Sequence, residues 1–390
     1  MTAVSRVVIV GASIGGVTAA ETLRQEGFDG QIVVIGEEAH RPYLRPPLSK
    51  QILLGEWQPE QASIHTAAQT VELDIDLRTS CTAVDLDVAD RVVRTSQGDV
   101  SYDELIIATG SEPRRHPLLP EALTLRTLDD ALRLRDSLRL AHRVGVIGAG
   151  VLGSEIASAA RKYGADTLLV GRSASLSFGG VGALLSGRLI RLHKENGVEL
   201  ALSTEVVGAE PLPGGTSVTL ADGRNRIVDL LVSMIGATPR TGWLESSSLA
   251  LADGVICDDV GRAAPGVSAV GDVAAWANPF SGRHVRVEHQ SNAIEQAVAV
   301  ALRIVRGELG SQPVPLFWSE IHGARIHAFG WFDPAHPLVA ADGESADASA
   351  VLLSRGTNGE VRGAVGWNAP PRDFRTARAA VLSAPALTPS

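Results

Sequence analysis

An α/β fold is predicted, with two dinucleotide-binding units of one plan and a small α+β unit at the C-terminal end. Three observations predict it. A strand–turn–helix pattern with closely spaced glycines occurs twice, at Val7–Gly16 and again at Val144–Gly153. Forty glycines and an aromatic fraction of only 4% suit many tight strand-to-helix turns. Beyond Pro313 and Pro315 the pattern changes to short strand-like runs such as Val351–Leu353 and Val361–Val365.

In the first unit an apolar strand from Arg6 enters the glycine turn. A helix through Val17–Arg24 ends near Gly27, and a second strand follows at Ile32–Ile35. Residues 141–171 repeat the plan, with a helix through Ala160 ending at Gly164 and a strand at Thr167–Val170. Strand-like runs ending in small-residue turns, Tyr102–Gly110 and Val228–Gly236, mark where the chain leaves one unit for the other. Ala340–Ala350 reads as a loop and Ala384–Ser390 as a frayed tail.

The bulk properties exclude several classes. At 390 residues with 45% apolar content, the chain holds two or three cored domains. A net charge of −9 argues against nucleic acid as a partner. Cys81 and Cys257 form no C-x-x-C, so no redox dithiol or thiolate metal site is read from them. With a strand starting by Arg6 and no membrane-length apolar run, no signal peptide or membrane contact is expected, and the cytoplasm follows by default. The ten histidines carry no H-E-x-x-H, and no G-x-S-x-G elbow is present, so neither a metal site nor a serine triad is expected.

The glycine turns carry the chemistry. A backbone without Cβ at Gly11 and Gly16 comes close to a pyrophosphate, and the following helix offers free N–H groups. Ser13 stands at the usual middle glycine, and Glu37 follows the second strand, where an acid hydrogen-bonds a ribose diol. The second unit has an intact Gly148-x-Gly150-x-x-Gly153, but its second strand ends in Arg172 and Ser173 with no acid. A carboxylate there would repel a 2′-phosphate and an arginine would hold one, so NADPH is expected over NADH, which stays possible. Two such turns suggest two cofactors side by side, most often a flavin and a nicotinamide.

The loop Arg41–Lys50 carries three prolines that stiffen it and present Arg45 and Lys50. Together with Ala108–Arg114, Ala269–Val273, Val287–His289 with Asn292 and Ala293, and Phe317–Glu320, it resembles the FAD-dependent NAD(P)H:ferredoxin reductases that serve bacterial oxygenases and cytochromes P450. The resemblance extends over nearly the whole chain. It implies two Rossmann-like domains arranged as in glutathione reductase: an FAD domain from 1–112 and 238–312, an NAD(P)H domain at 113–237, and a C-terminal domain at 313–390.

By that resemblance Gly11, Ser13, Ile14, Gly15, Gly16 and Glu37 hold the ADP half of FAD. Arg45 and Lys50 lie near the flavin and its phosphates, Asp272 meets the ribityl chain and Trp318 the isoalloxazine. Further cofactor contacts are expected at Ala83, Val84, Ala108, Thr109, Gly110, Arg126, Gly236, Gly271, Glu288, His289 and Gln290. The nicotinamide nucleotide is expected on Gly148, Gly150, Val151, Leu152, Gly153, Arg172 and Ser173. The resemblance also pairs Lys50 with Glu155 beside the flavin's reactive edge, where an adjacent charged pair can tune its potential. A structural salt bridge is the alternative.

Two positions depart from the family pattern. Leu44 stands where an Asp is common, and Gln290 replaces the aromatic that follows Glu288–His289. The leading expectation is hydride transfer from NADPH to FAD and single-electron delivery to a ferredoxin, with the chain a monomer or homodimer. Arg114 and Arg115, or Arg283, His284 and Arg286, would dock that acidic partner. A second reading, favoured by the two departures, gives the electrons to a quinone, dioxygen or another small molecule. A third is a redox-sensing scaffold of the same architecture.

Overall fold

The computed structural model describes residues 4–64, 67–178, 181–278, 282–308, 313–333, 336–341 and 350–383. The tail from Ala384 and most of the loop read at 340–350 lie outside the described residues. Among the described residues are seven α-helices: α1 Ile14–Gln25, α2 Ala67–Glu72, α3 Leu128–Leu140, α4 Val151–Lys162, α5 Gly182–Glu195, α6 Gln290–Arg306 and α7 Pro371–Leu382.

The first glycine turn sits at the centre of a six-stranded sheet. Its order is Arg262–Ala264, Val267–Ala269, Glu104–Ile107, Arg6–Val10, Gln31–Ile35, Ile75–Arg78. The central strand pairs in parallel on both sides, Val7 with Ile32 and with Glu104. Such strands are covered on both faces and read as continuous apolar runs. Val7, Val8 and Ile9 are accordingly fully buried, each side chain contributing about 1.5–3 kcal/mol. Helix α1 starts three residues before Val17, because Gly15 and Gly16 belong to its first turn.

The second turn repeats this in a four-stranded parallel sheet, Val198–Leu202, Asp166–Gly171, Arg143–Ile147, Leu230–Ser233. Val144 pairs with Thr167 on one side and Leu230 on the other. The chain enters and leaves this part through one antiparallel strap, in which Ala237 pairs with Pro113 and Pro239 with Ser111. The C-terminal part is a five-stranded antiparallel sheet, Leu316–Ile321, Ala324–Gly330, Val361–Trp367, Ala350–Arg355, Leu338–Ala340. Helix α7 packs on it through Phe374 and Ala377.

One apolar cluster crosses all three parts. Leu48, Ile52 and Leu53 from the proline loop pack with Val144 and Ile156 of the second unit and with Ile321 and Ile326 of the C-terminal sheet. Cys81 and Cys257 are buried and unbridged, and burial pushes the Cys257 thiol up to about 12. Among the described residues no helix is long and apolar enough to cross a membrane, and no group of three or more His, Cys, Asp or Glu could hold a metal ion.

The C-terminal sheet is also tied to the second unit by a histidine pair, His193 buried and His322 half-buried. His193 Nδ1 of α5 lies 3.0 Å from His322 Nε2, at the turn after Ile321, with the rings edge to face. Burial lowers His193 to about 3, helped by His322, and lowers His322 to about 4, helped by Arg161 and Lys162 of α4. Both folded values lie below the ordinary 6.5, so the unfolded chain binds protons first as pH falls. The pair's stability is complete above pH 6.5 and is lost progressively towards pH 4. Thermal melts should show a loss of order 2 kcal/mol between pH 7.5 and pH 5. His322→Asn should lose less over that interval; an equal loss would remove the pair as the cause.

Candidate cofactor site

Among the described residues, besides α5 behind Val181, three helices begin without a side-chain cap and without an acidic residue in the first turn. They are α1 behind Ser13, α4 behind Gly150 and α6 behind His289. Helix α3, by contrast, is closed by Thr127 and Asp130 in a reciprocal capping box. An uncapped N-terminus leaves its first N–H groups and partial positive charge for an anion. The first two of these ends follow the glycine turns, the third follows Glu288–His289.

The glycines are required by backbone contacts. At Gly11, φ is +122° and an added Cβ would lie 2.1 Å from the Ala108 carbonyl oxygen. At Gly148, φ is +115° and the same atom would lie 2.1 Å from the Met234 carbonyl oxygen. Gly16 and Gly153 bring α1 and α4 against the turns, where a Cβ would stand 1.9 Å from Gly11 O and from Gly148 O. Both turns therefore have the shape that admits a pyrophosphate at a helix end, and the residues present fit FAD at the first and a nicotinamide dinucleotide at the second.

Around the first turn the expected residues come together. Arg45 donates through Nε to Ser13 Oγ at 3.3 Å and pairs with Glu38 at 2.8 Å. Arg45 also donates to the Arg126 carbonyl, while the Arg126 guanidinium pairs with Asp272 at 2.9 Å. Ser111 donates to the same Asp272 carboxylate, and Gly271 N–H donates to Gln296 Oε1. Ala108 N–H pairs with Val10, Thr109 Oγ1 donates to the Arg240 carbonyl, and Gly110 bends with φ +71° beside Arg126. Glu37 is held by Arg240. Ile14 and Gly15 lie in the first turn of α1, Gly15 facing Val270 and Ala293.

The expected Lys50–Glu155 contact is present. Lys50 Nζ lies 2.8 Å from Glu155 Oε1, with the two side chains 11% and 5% exposed. Ser49 Oγ donates to Glu155 Oε2 at 2.5 Å and Ser319 Oγ to Oε1 at 2.6 Å. Trp318 is 44% exposed, with Lys50 Nζ 4.8 Å from its ring centre. His289 packs against Phe317 at 5.7 Å, and its burial lowers its pKa below the ordinary imidazole value. Gln290 is the first residue of α6.

In the second unit Val151, Leu152 and Gly153 form the first turn of α4. The two units can be superposed by one contact. A Cβ at Gly36 would meet Ala12 Cβ at 2.7 Å, and one at Gly171 would meet Ala149 Cβ at 2.7 Å. The next residue is Glu37 in the first unit and Arg172 in the second, which is exposed like Ser173. The acid of the first nucleotide site is thus replaced by a cation at the matching place. Gly236, with φ +98°, accepts from Arg114 N–H at the strap.

Ala83 and Val84 start a separate three-stranded sheet, Ala83 against the first core and Val84 54% exposed. Glu288 pairs with Arg286. Arg286 itself corrects the expected basic cluster at 283–286. It is 8% exposed, pairs with Asp253 and Glu288 and donates to the Asp272 carbonyl, so it serves packing rather than docking. Glu38, Ser49, Ser111, Arg240, Gln296 and Ser319 join the site without having been expected. Ser49, Ser111 and Ser319 lie inside the runs that carried the resemblance.

Comparison with known proteins agrees with this layout. Residues 5–297 match the family described as "Pyridine nucleotide-disulphide oxidoreductase". The chain is 34% identical over 379 residues to the "Benzene 1,2-dioxygenase system ferredoxin--NAD(+) reductase subunit" of Pseudomonas putida, covering 96% of this chain and 91% of that protein. It superposes on the ferredoxin reductase for the CYP199A2 system from Rhodopseudomonas palustris with a TM-score of 0.90 at 27% identity, over 98% and 96% of the two chains. A covalent putidaredoxin reductase–putidaredoxin complex gives 0.88 at 27%, over 97% and 93%.

Proposed function

The chain belongs to the pyridine nucleotide-disulphide oxidoreductase family, and on that premise we propose that it is the reductase component of an oxygenase or P450 system. It draws electrons from a nicotinamide dinucleotide and delivers them to a ferredoxin. The observation that carries this reading is the buried Lys50–Glu155 pair, which joins the proline loop of the first unit to the uncapped helix of the second. With Cys81 and Cys257 far apart in sequence and no C-x-x-C, the chain lacks the vicinal cysteine pair that a dithiol reductase would use.

FAD, when bound, supplies the conversion of a two-electron donor into single electrons. The protein's own residues bind and orient. The α1 end, Ser13 and Arg45 would hold the FAD pyrophosphate, Glu37 the ribose, and Arg126 and Asp272 the ribityl chain. The α4 end would hold the nicotinamide dinucleotide, and Lys50 with Glu155 would set the charge beside the flavin. We divide the chain accordingly into 1–112 with 238–312, 113–237 and 313–390, a division supported by the strap at Ser111–Pro113 and Ala237–Pro239. A cytoplasmic place suits such a component.

Anaerobic NADH should bleach the yellow protein, and a ferredoxin mixed in should restore the colour. Failure with every ferredoxin tried would overturn the reading. Gln290 at the head of α6 favours a second acceptor, dioxygen, and the same trace with oxygen separates the two.

The benzene dioxygenase relative is named for NAD(+), which supports NADH. Arg172, standing where the first unit has Glu37, supports use of NADPH as well. Arg172→Glu should lower kcat/KM for NADPH about tenfold or more and leave that for NADH within about twofold, a charge-assisted contact being the difference. Equal loss with both nucleotides would defeat the assignment.

A further inference from the structure

We propose that Ser319, on the edge strand of the C-terminal sheet, is the positioning residue that holds Glu155 against Lys50, so that this sheet sets the rate of flavin reduction. The inference rests on the reading of Lys50–Glu155 as the pair beside the flavin.

Three hydrogen-bond donors converge on one carboxylate. Glu155 Oε1 receives Lys50 Nζ at 2.8 Å and Ser319 Oγ at 2.6 Å, and Oε2 receives Ser49 Oγ at 2.5 Å. Ser49 and Lys50 are neighbours on one loop and move together. Lys50 Nζ also lies 3.3 Å from Ser49 Oγ, so those two donors form a single unit. Ser319 comes from a separate element and defines the carboxylate's second direction. At 2% exposed it has no water to replace that contact.

The strand itself is fixed on α4. Ser158, three residues after Glu155 on the same helix face, accepts from His322 N–H at 2.9 Å. Trp318 meanwhile holds its ring 4.8 Å from Lys50 Nζ. Consecutive residues 318 and 319 therefore touch the two members of the ion pair, one each. A contact of this kind serves orientation, since a charged pair that is free to rotate loses the geometry on which its field depends.

The test uses the FAD-loaded protein. Anaerobic stopped-flow reduction by NADH, the flavin midpoint potential and the nucleotide KM are measured for Ser319→Ala, Ser319→Thr and Ser319→Cys. The limiting rate should fall about tenfold in the Ala variant with KM within about twofold, and the Thr variant should recover most of it. In a Glu155→Gln background, Ser319→Ala should have no further effect. An unchanged rate in the Ala variant, or the same fall in the Glu155→Gln background, overturns the proposal. Should the Ala variant not fold, the Cys variant keeps the volume and is read by the same criteria. If Lys50→Met reduces as fast as the parent, the reading of the ion pair fails instead, whatever Ser319 does.

Discussion

Lys50→Met should slow reduction of the bound flavin by about a hundredfold while the protein stays yellow, the scale seen when a preorganised charged group is removed from a reacting centre. The ammonium is 11% exposed and points at a carboxylate that is 5% exposed, so its charge acts in a medium that screens it little. Its loss also strands Glu155 with two hydroxyl donors and no counter-charge. A buried carboxylate left in that state costs about 3 kcal/mol of stability. Rapid-reaction traces and melts on the same preparation separate the two effects. A stability loss of that size with an unchanged rate and midpoint potential would make the pair structural.

Gly16→Ala and Gly153→Ala should fail in different ways, because the same contact is built twice. Each added methyl would stand 1.9 Å from a carbonyl oxygen, Gly11 in one case and Gly148 in the other. Backbone cannot yield as a flexible side chain does, so helix and turn must separate at the phosphate-binding end. Gly16→Ala should then lose FAD affinity by about a hundredfold or more and purify nearly colourless. Gly153→Ala should purify yellow, be bleached by dithionite and resist NADH and NADPH alike. Retained NADH bleaching in Gly153→Ala would remove the second turn from nucleotide binding.

Most of the layout is legible in the sequence, and the reasons are local. The runs Val7–Val10 and Val144–Ile147 are apolar because their strands are covered on both faces, and a glycine of positive φ follows each, Gly11 and Gly148. Gly11 and Gly148 could be placed by rule, since backbone geometry restricts the residue there. Glu37 and Arg172 are found in the same way, each directly after the glycine at the end of its unit's second strand, Gly36 or Gly171. Arg286 shows the limit. Its charge and its neighbours Arg283 and His284 suggested a docking patch, yet burial and two carboxylates turn it inward.

Other members of the site had no such rule. Arg240 reaches Glu37 across 203 positions of sequence, and Ser319 reaches Glu155 across 164. A serine in an apolar strand reads as an ordinary small residue until the strand's neighbour is known. The shared cluster of Leu53, Ile156 and Ile321 is of the same kind, because each fits the core of its own unit equally well.

The order of letters alone determined that two nucleotide-sized anions would be met by helix ends, since a turn's φ angles and a helix's free N–H groups depend on a few adjacent residues. Only the packed chain decided what surrounds Glu155. The distances of 2.5–2.8 Å around Glu155 exist because a loop, a helix and an edge strand from remote stretches bury one apolar surface together. Hydrogen bonds fall away within tenths of an ångström, and no spacing in a linear sequence carries that information.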